Sequence, residues 1–319
     1  MATIAYSTYR WGFKAGVGVN REDLMDAVNN IDPWDTPLFT AAPKTKAYHV
    51  YHEWPEDTLS ATSSAGVQEG LDFTLNATST PTRKVNWTQI FRKDVQVTNT
   101  QLVVNPAGIA DMYRYEVTKG LKEIKRNVEV GAFRASGGST TGATNAARLM
   151  KSLDDIITTN KYHSDTGAIG GGGTTGASAV MDQVAFNSML HKIYLQGGNP
   201  MDVYCSPAVK LNISDYTGAN AQRGVIQAED STVVDTVDVF VSDFGPQYIH
   251  MDRWVPSATG ANAGLCFFLD RTRVKFAFLR TPKHVPIASV GDSVRGIVLS
   301  ELTLEVTNEK GHGICKGVG

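Results

Sequence analysis

The chain has 319 residues, 42% of them hydrophobic, with 30 Lys and Arg against 32 Asp and Glu for a formal net charge of −2. That much apolar material builds one large domain or two ordinary ones and excludes a disordered chain, while near neutrality removes any overall pull toward nucleic acid or an anionic membrane. Three widely spaced cysteines, Cys205, Cys266 and Cys315, argue against a disulfide framework and for a reducing compartment; Met1–Lys14 lacks an apolar core of signal-peptide length and no run nears eighteen apolar residues, so the chain reads as neither exported by that route nor membrane-spanning.

Residues 1–44 read as an arm. A short helix is expected from Arg21 to Ile31, capped by Asn20, and Pro33 and Pro37 then forbid its continuation. Ala47 to Trp54 is strand-like and aromatic, and Lys84 to Thr98 is its return, with Val85, Trp87, Gln89 and Phe91 on one face. Between these strands, Asp57 to Thr82 has only Leu59, Val67, Leu71, Phe73 and Leu75 as large apolar residues, scattered among Ser, Thr, Ala and Gly. Ordering a residue costs about 1–2 kcal/mol, so a flap of this length needs tens of kcal/mol of compensation that its own side chains do not supply. Either it stays mobile or it lies on a neighbouring subunit.

Asn105 to Ser136 carries the longest helical signal. Asn105 is placed to cap it and Pro106 to occupy the first position, while Ile109, Met112, Val117, Leu121, Ile124, Val128 and Ala132 form one apolar stripe. Arg114, Glu116, Lys119, Lys122, Glu123, Lys125, Arg126 and Glu129 make up the other face, with Glu116/Lys119 and Glu123/Arg126 spaced to pair, and Gly137-Gly138 ends the helix. Such a rod spans about 45 Å. Gly108, Gly120 and Gly131 predict bending or tight packing along it.

Asn145 to Thr159 is expected as a shorter helix, and the Gly/Thr/Ser-rich stretch Asp165 to Ser178 as a domain boundary. A helix from Met181 to Gln196 stops at Gly197-Gly198; strand Asp202 to Cys205 and a helical turn at Pro207 to Tyr216 follow, an α/β alternation. Thr232 to Ser242 and Gln247 to Trp254 read as a hairpin turning at Phe244-Gly-Pro246, with further strands at Leu265 to Leu269 and Arg273 to Leu279. In Val298 to Val306, Val298, Leu302, Leu304 and Val306 face one way and Glu301, Thr303, Glu305 and Thr307 the other.

Chemical signatures are sparse. There is no Gly-Lys pair for a phosphate loop, no Gly-x-Ser-x-Gly, no His-Glu-x-x-His and no Cys-x-x-Cys, so no catalytic, cofactor or metal residue is assigned. His49 and His52 lie three apart on a strand and point to opposite faces, and His312 with Cys315 are too few to hold a metal. Asp154, Asp155, Asp235 and Asp238 read as solvated faces. Arg271, Arg273 and Lys275 alternate on one strand face, a basic stripe suited to packaged nucleic acid, to an acidic neighbour or to water alone. No aromatic interleaving marks a base-stacking surface.

Several motifs carry a resemblance: Asp35-Thr-Pro-Leu-Phe39, Tyr51-His-Glu-Trp54 with Asp57, Glu69-Gly70 and Asn86-Trp-Thr-Gln-Ile-Phe-Arg92 running into Val97-Thr-Asn-Thr100. Tyr115-Glu116, Lys119-Gly-Leu-Lys-Glu-Ile-Lys-Arg126 and Glu129 continue it, and Glu301-Leu-Thr-Leu-Glu-Val306 with Gly311-His-Gly-Ile314 close it. Across most of its length the chain resembles the major capsid protein of tailed bacteriophages, the HK-97-like fold, and specifically the SU-ten-type major head protein family. The resemblance implies an α+β fold with residues 1–44 as N-terminal arm, 45–98 as extended β-hairpin loop reaching over an adjacent subunit, 99–180 and 271–319 as a peripheral domain with its spine helix, and 181–270 as a mixed α/β axial domain.

It also implies a non-enzymatic virion protein, assembled in the bacterial cytoplasm, whose hexamers and pentamers close into an icosahedral shell around double-stranded DNA. Decoration, scaffold and portal proteins are further expected partners, DNA contact is weak and non-specific, and no membrane is involved. Trp34, Trp54, Leu71, Phe73 and Trp87 are the candidate inter-subunit anchors, and Arg271, Arg273 and Lys275 the candidate lumen-facing stripe. A tail or decoration protein is the alternative, followed by an enzyme whose site is assembled from distant residues.

Overall fold

The computed structural model of the chain describes residues 31–60, 62, 64, 66, 68–70, 72, 80–104, 108–134, 138–163, 168–169, 181–215, 238–256, 264–289 and 291–316. The elements begin with α1 (Pro37–Ala41), β1 (Lys44–Lys46), β2 (Tyr51–Glu56), β3 (Thr82–Trp87), β4 (Gln89–Thr98), α2 (Asn99–Val103) and the long α3 (Met112–Phe133). Next come α4 (Leu153–Ile156), β5 (Lys161–His163), β6 (Ala168–Ile169), α5 (Gln183–Leu195), β7 (Asp202–Cys205) and α6 (Pro207–Asp215). The last group is β8 (Val239–Ser242), β9 (Gly245–Met251), β10 (Cys266–Leu269), β11 (Val274–Ile287), β12 (Ser293–Val306) and β13 (Gly313–Lys316). The expected arm helix, the 165–178 connector and the flap residues Leu71 and Phe73 lie outside the described residues, apart from Ile31 at the end of the first and two residues of the second.

Two sheets organise the chain. One has the order β1-β11-β12-β4; the other runs β6-β5-β13-β10-β7-β9-β8, and β2 and β3 form a separate hairpin. Helix α3 lies on the first sheet, where Ile124, Val128, Ala132 and Phe133 are buried against Phe91, Val95, Val298 and Leu302. Helix α5 covers the second, with Phe186, Met189, Leu190 and Ile193 packed on Val203, Cys266 and Phe268. The second sheet also takes in β5, β6 and β13, which lie outside residues 181–270. Among the described residues no helix is long and apolar enough to cross a membrane.

The spine helix is shorter than its sequence pattern. It starts at Met112, with Asp111 Oδ1 accepting from Arg114 N at 3.0 Å; the expected cap Asn105 and first position Pro106 lie outside the described residues. Gly108, at φ +77°, holds a left-handed turn that a continuous helix cannot pass. The 22 residues therefore span about 33 Å. Its interior glycines serve close packing: a Cβ on Gly120 would meet Lys93 Cγ at 3.3 Å, and one on Gly131 would meet Met150 Cε at 3.1 Å. Glu116 pairs with Lys119 as spaced, but Glu123 reaches Lys93 on β4, 2.6 Å away, instead of Arg126.

Three further expectations are corrected. The helix expected over 145–159 shrinks to α4, capped by Ser152 and Asp155, because 140–149 folds as a turn closed by bridges Thr140↔Leu149 and Ala143↔Ala146. The single strand 84–98 divides at Thr88, where the chain leaves β2 for β12: Thr88 N still bonds Val50 O, while Thr88 Oγ1 donates to Glu301. The buried side switches there, from Asn86 on β3 to Phe91, Val95 and Val97 on β4. Arg271 and Arg273 sit in the turn before β11, not on it. Helices α5 and α6, the β8–β9 hairpin at Asp243-Phe244, and strands β7, β10 and β12 follow the sequence reading to within a few residues.

Candidate assembly surfaces

The root of the flap is fastened by polar side chains. β2 pairs with β3 from Tyr51↔Trp87 to Glu56↔Thr82, and the hairpin stands against the polar face of β12. Asn86 is fully buried there; its Nδ2 donates to Leu304 O at 2.7 Å and its Oδ1 accepts from Lys151 N at 2.8 Å and Trp87 N at 2.9 Å. His52 Nε2 lies 3.0 Å from Glu305 Oε2, and Lys275 Nζ donates to Glu305 Oε1 at 3.2 Å. The His52 bond, helped by Lys275 and opposed by burial, holds the Glu305 carboxyl below the usual carboxylate range. Glu301, Thr303 and Glu305 are thus as buried as the apolar side of β12, because β2–β3 and the 140–149 turn cover them.

Beyond this root the flap leaves the body. Every described residue from Asp57 to Pro81 is exposed; Leu59 shows 99% of its surface, and nothing lies within 4 Å of a Cβ built on Gly66 or Gly70.

A second fastening holds the segment before β1. Helix α1 has no cap from its own Thr36; instead Glu129 of α3 accepts from Leu38 N and Phe39 N, both at 2.7 Å. Glu129 is wholly buried, not on the solvated helix face where its spacing put it. Asp252 lies against it, its side chain hydrogen-bonded to Glu129 and its Oδ1 accepting from Trp254 N at 2.8 Å. Burial, then the charge of Asp252, pushes the Glu129 carboxyl up to about 9, and burial raises Asp252 as well, so the pair keeps a proton at neutral pH. Trp254 Nε1 donates to Asp35 O at 2.7 Å, and Lys122 sits 4.8 Å from the ring centre of Trp34.

The expected anchors therefore differ in what they offer. Trp34 is 55% exposed, and Trp87 is half-buried with its ring 4.6 Å from Tyr51. Trp54, 7% exposed and bonded through Nε1 to Glu56, keeps little surface for a neighbour. In the basic stripe each side chain has an intrachain carboxylate: Arg271 with Asp202 at 3.7 Å, Arg273 with Asp270 at 3.1 Å, and Lys275 with Glu305.

Among the described residues no group of His, Cys, Asp or Glu could hold a metal ion. His49 Nδ1 accepts from Tyr51 N, and the three cysteines are buried, Cys205 pushed up to about 12 by that burial. Asp154, expected on a solvated face, is buried between Lys161 and Lys316 at 3.1 and 2.6 Å, and these cations outweigh burial to keep its carboxyl low. Asp155 caps α4, and Asp238 pairs with Lys210 at 3.2 Å. What the surface does present is scattered exposed apolar residues on both bodies, Tyr48 and Val103 on one and Val184, Leu211 and Val241 on the other.

Residues 6–319 match the family described as SU10 major capsid protein. No curated protein sequence matches the chain. Solved structures share the fold at low identity. The capsid of an empty GTA particle has 13% identity and a TM-score of 0.63, with 98% of this chain and 99% of that one covered. The capsid of cyanophage P-SCSP1u gives 13% and 0.59, with 98% of each chain covered. A chain of Mycobacterium phage Bobi gives 10% and 0.57, with 93% of this chain and 95% of that one covered.

Proposed function

We propose, from the premise that the chain belongs to the SU10 major capsid protein family and builds a phage head shell, that its copies join as hexamers and pentamers and close an icosahedral shell around double-stranded DNA. Heterologous contacts of one chain with the next suit such closure. In this reading the β1-β11-β12-β4 sheet with α3 is the peripheral body, the seven-stranded sheet with α5 and α6 is the axial body, and residues 57–82 extend from the first over an adjacent copy. Trp34, Leu71, Phe73 and Trp87 are its inter-subunit anchors, with Trp54 holding the root. Arg271, Arg273 and Lys275, already paired within the chain, leave only weak, non-specific contact for DNA. Assembly takes place in the host cytoplasm, with scaffold, decoration and portal proteins as partners of the finished shell.

The observation that carries this reading is the flap, rooted by buried polar bonds and exposed along its described length. Electron microscopy of the purified protein tests it. The intact chain is expected to form shells or capsomers, and a variant lacking Asp57–Thr82 to remain a soluble subunit without stable shells. A 34.5 kDa monomer from the intact chain at assembling concentrations would overturn the shell role. Normal particles from the deletion would overturn the role of the flap alone.

A further inference from the structure

We propose that a basic groove between β1 and the outer half of β11 receives the acidic flap of a neighbouring copy. This rests on the reading that the flap crosses to another subunit. Strand β1 pairs with β11 only from Lys44↔Phe276 to Lys46↔Phe278, after which β11 continues to Ile287 with that edge unpaired among the described residues. The step left where β1 stops is a groove of about 520 Å³ lined by Lys44, Lys46, Phe278, Arg280, Thr281 and Lys283.

Its charge is in excess. The Lys44 ammonium is anchored at the end of α1 on the carbonyl oxygens of Phe39, Thr40 and Ala42, at 2.7, 3.3 and 3.1 Å. Lys46 lies over the Tyr48 ring and has no carboxylate partner among the described residues, nor has Lys283. Among the described residues Arg280 pairs with one carboxylate, Glu301, and shares it with Arg148. Four cations, Lys44, Lys46, Arg280 and Lys283, thus line one groove whose lining holds no carboxylate.

The flap has the complementary composition. Residues 57–82 contain Asp57, Glu69 and Asp72 and no Lys or Arg, in a chain whose acids and bases otherwise nearly balance. All three acids are exposed. Folded back on itself, each half of the flap reaches about 40 Å at about 3.3 Å per residue, the width of a domain, so a neighbour's groove is within range. Glu69 and Asp72 stand at the turn of the flap, where it reaches farthest, and Lys46, Lys283 and the shared Arg280 facing them give attraction and register, the role such charges play at an interface.

Charge reversal tests the pairing in the full-length chain. Lys46 and Lys283 are exposed and make no salt bridge, so K46E/K283E is expected to melt as the parent does while its assembly concentration rises at least tenfold at physiological salt. E69K/D72K is expected to do the same. Mixing the two variants is expected to restore assembly, because each flap then finds a groove of opposite sign on the other chain. Assembly of K46E/K283E at the parental concentration overturns the proposal, and so does failure of the mixture to recover. Should K46E/K283E form normal shells that retain less DNA, the groove is a phosphate site and the proposal is also overturned. In each of these cases the parent still forms shells, which separates this failure from failure of the capsid role.

Discussion

Replacing Glu129 probes the fastening of the N-terminal segment and separates two opposing effects by pH. The carboxyl accepts two buried amide hydrogens of α1, so Glu129→Ala strands both, at about 1–3 kcal/mol each, or about 2–6 kcal/mol together. Glu129→Gln keeps one acceptor and is expected to cost about 1–3 kcal/mol at pH 5. The pH term has the opposite sense. The folded carboxyl is raised from 4.5 to about 9, so its contribution is fully present below pH 4.5 and is lost as pH rises toward 9. Because Glu129 and Asp252 titrate as a pair, the parent is expected to lose a few kcal/mol, on the order of 1.4 per unit, between pH 5 and 8 as the pair gives up its proton. The glutamine variant cannot ionise and is expected to lose none of it. Urea unfolding of dilute subunits at several pH values, followed by tryptophan fluorescence, gives both quantities, and Trp34 and Trp254 lie beside the segment concerned. Parallel parent and glutamine curves from pH 5 to 8, or an alanine cost below about 1 kcal/mol at pH 5, would refute the reasoning.

The buried His312 has the reverse dependence. Burial lowers it from 6.5 to about 4, so stability is complete above pH 6.5 and falls by about 3 kcal/mol as pH drops to 4. Acid unfolding of His312→Asn, which keeps an acceptor for Asp270 N, is expected to show a flatter profile over that window; an unchanged slope would count against it. Asn86→Ala removes three buried hydrogen bonds at the flap root and is expected to cost several kcal/mol, at about 1–3 per stranded group. Hydrogen exchange would place that loss in β2, β3 and the amide of Lys151, and protection equal to the parent's would refute it.

Legibility in the sequence divided along physical lines. Periodicity and turn chemistry located β8–β9, α5 and β12, and the poverty of apolar residues in 57–82 identified a segment that the described residues show exposed. Period alone cannot say what covers a polar face. The alternation in β12 shows which residues share a side, but only the folded chain shows Glu301 and Glu305 sealed under β2–β3 and the 140–149 turn. Glu129 was misplaced for the same reason: its spacing put it among solvated charges, whereas the partners that bury it lie ninety residues earlier in the chain and in Asp252. Gly108 was counted as a weak helical residue because φ cannot be read from composition, and its left-handed turn moved the helix start to Met112. The motifs that carried the resemblance are backbone-shaping and root-forming residues. They marked the architecture well and the contacts poorly.

The place of β13 has a consequence for how the chain is made. Gly313–Lys316 pairs with β5 on one side and β10 on the other, and β12 lies between β11 and β4, so both sheets are bridged by strands from the last part of the sequence. A polypeptide still emerging from the ribosome, or cut short by a premature stop before Ser293, leaves β4 without β11 and β5 without β10. Fragments of that kind lack the strand that completes each sheet, so both sheets close only after most of the chain has been made.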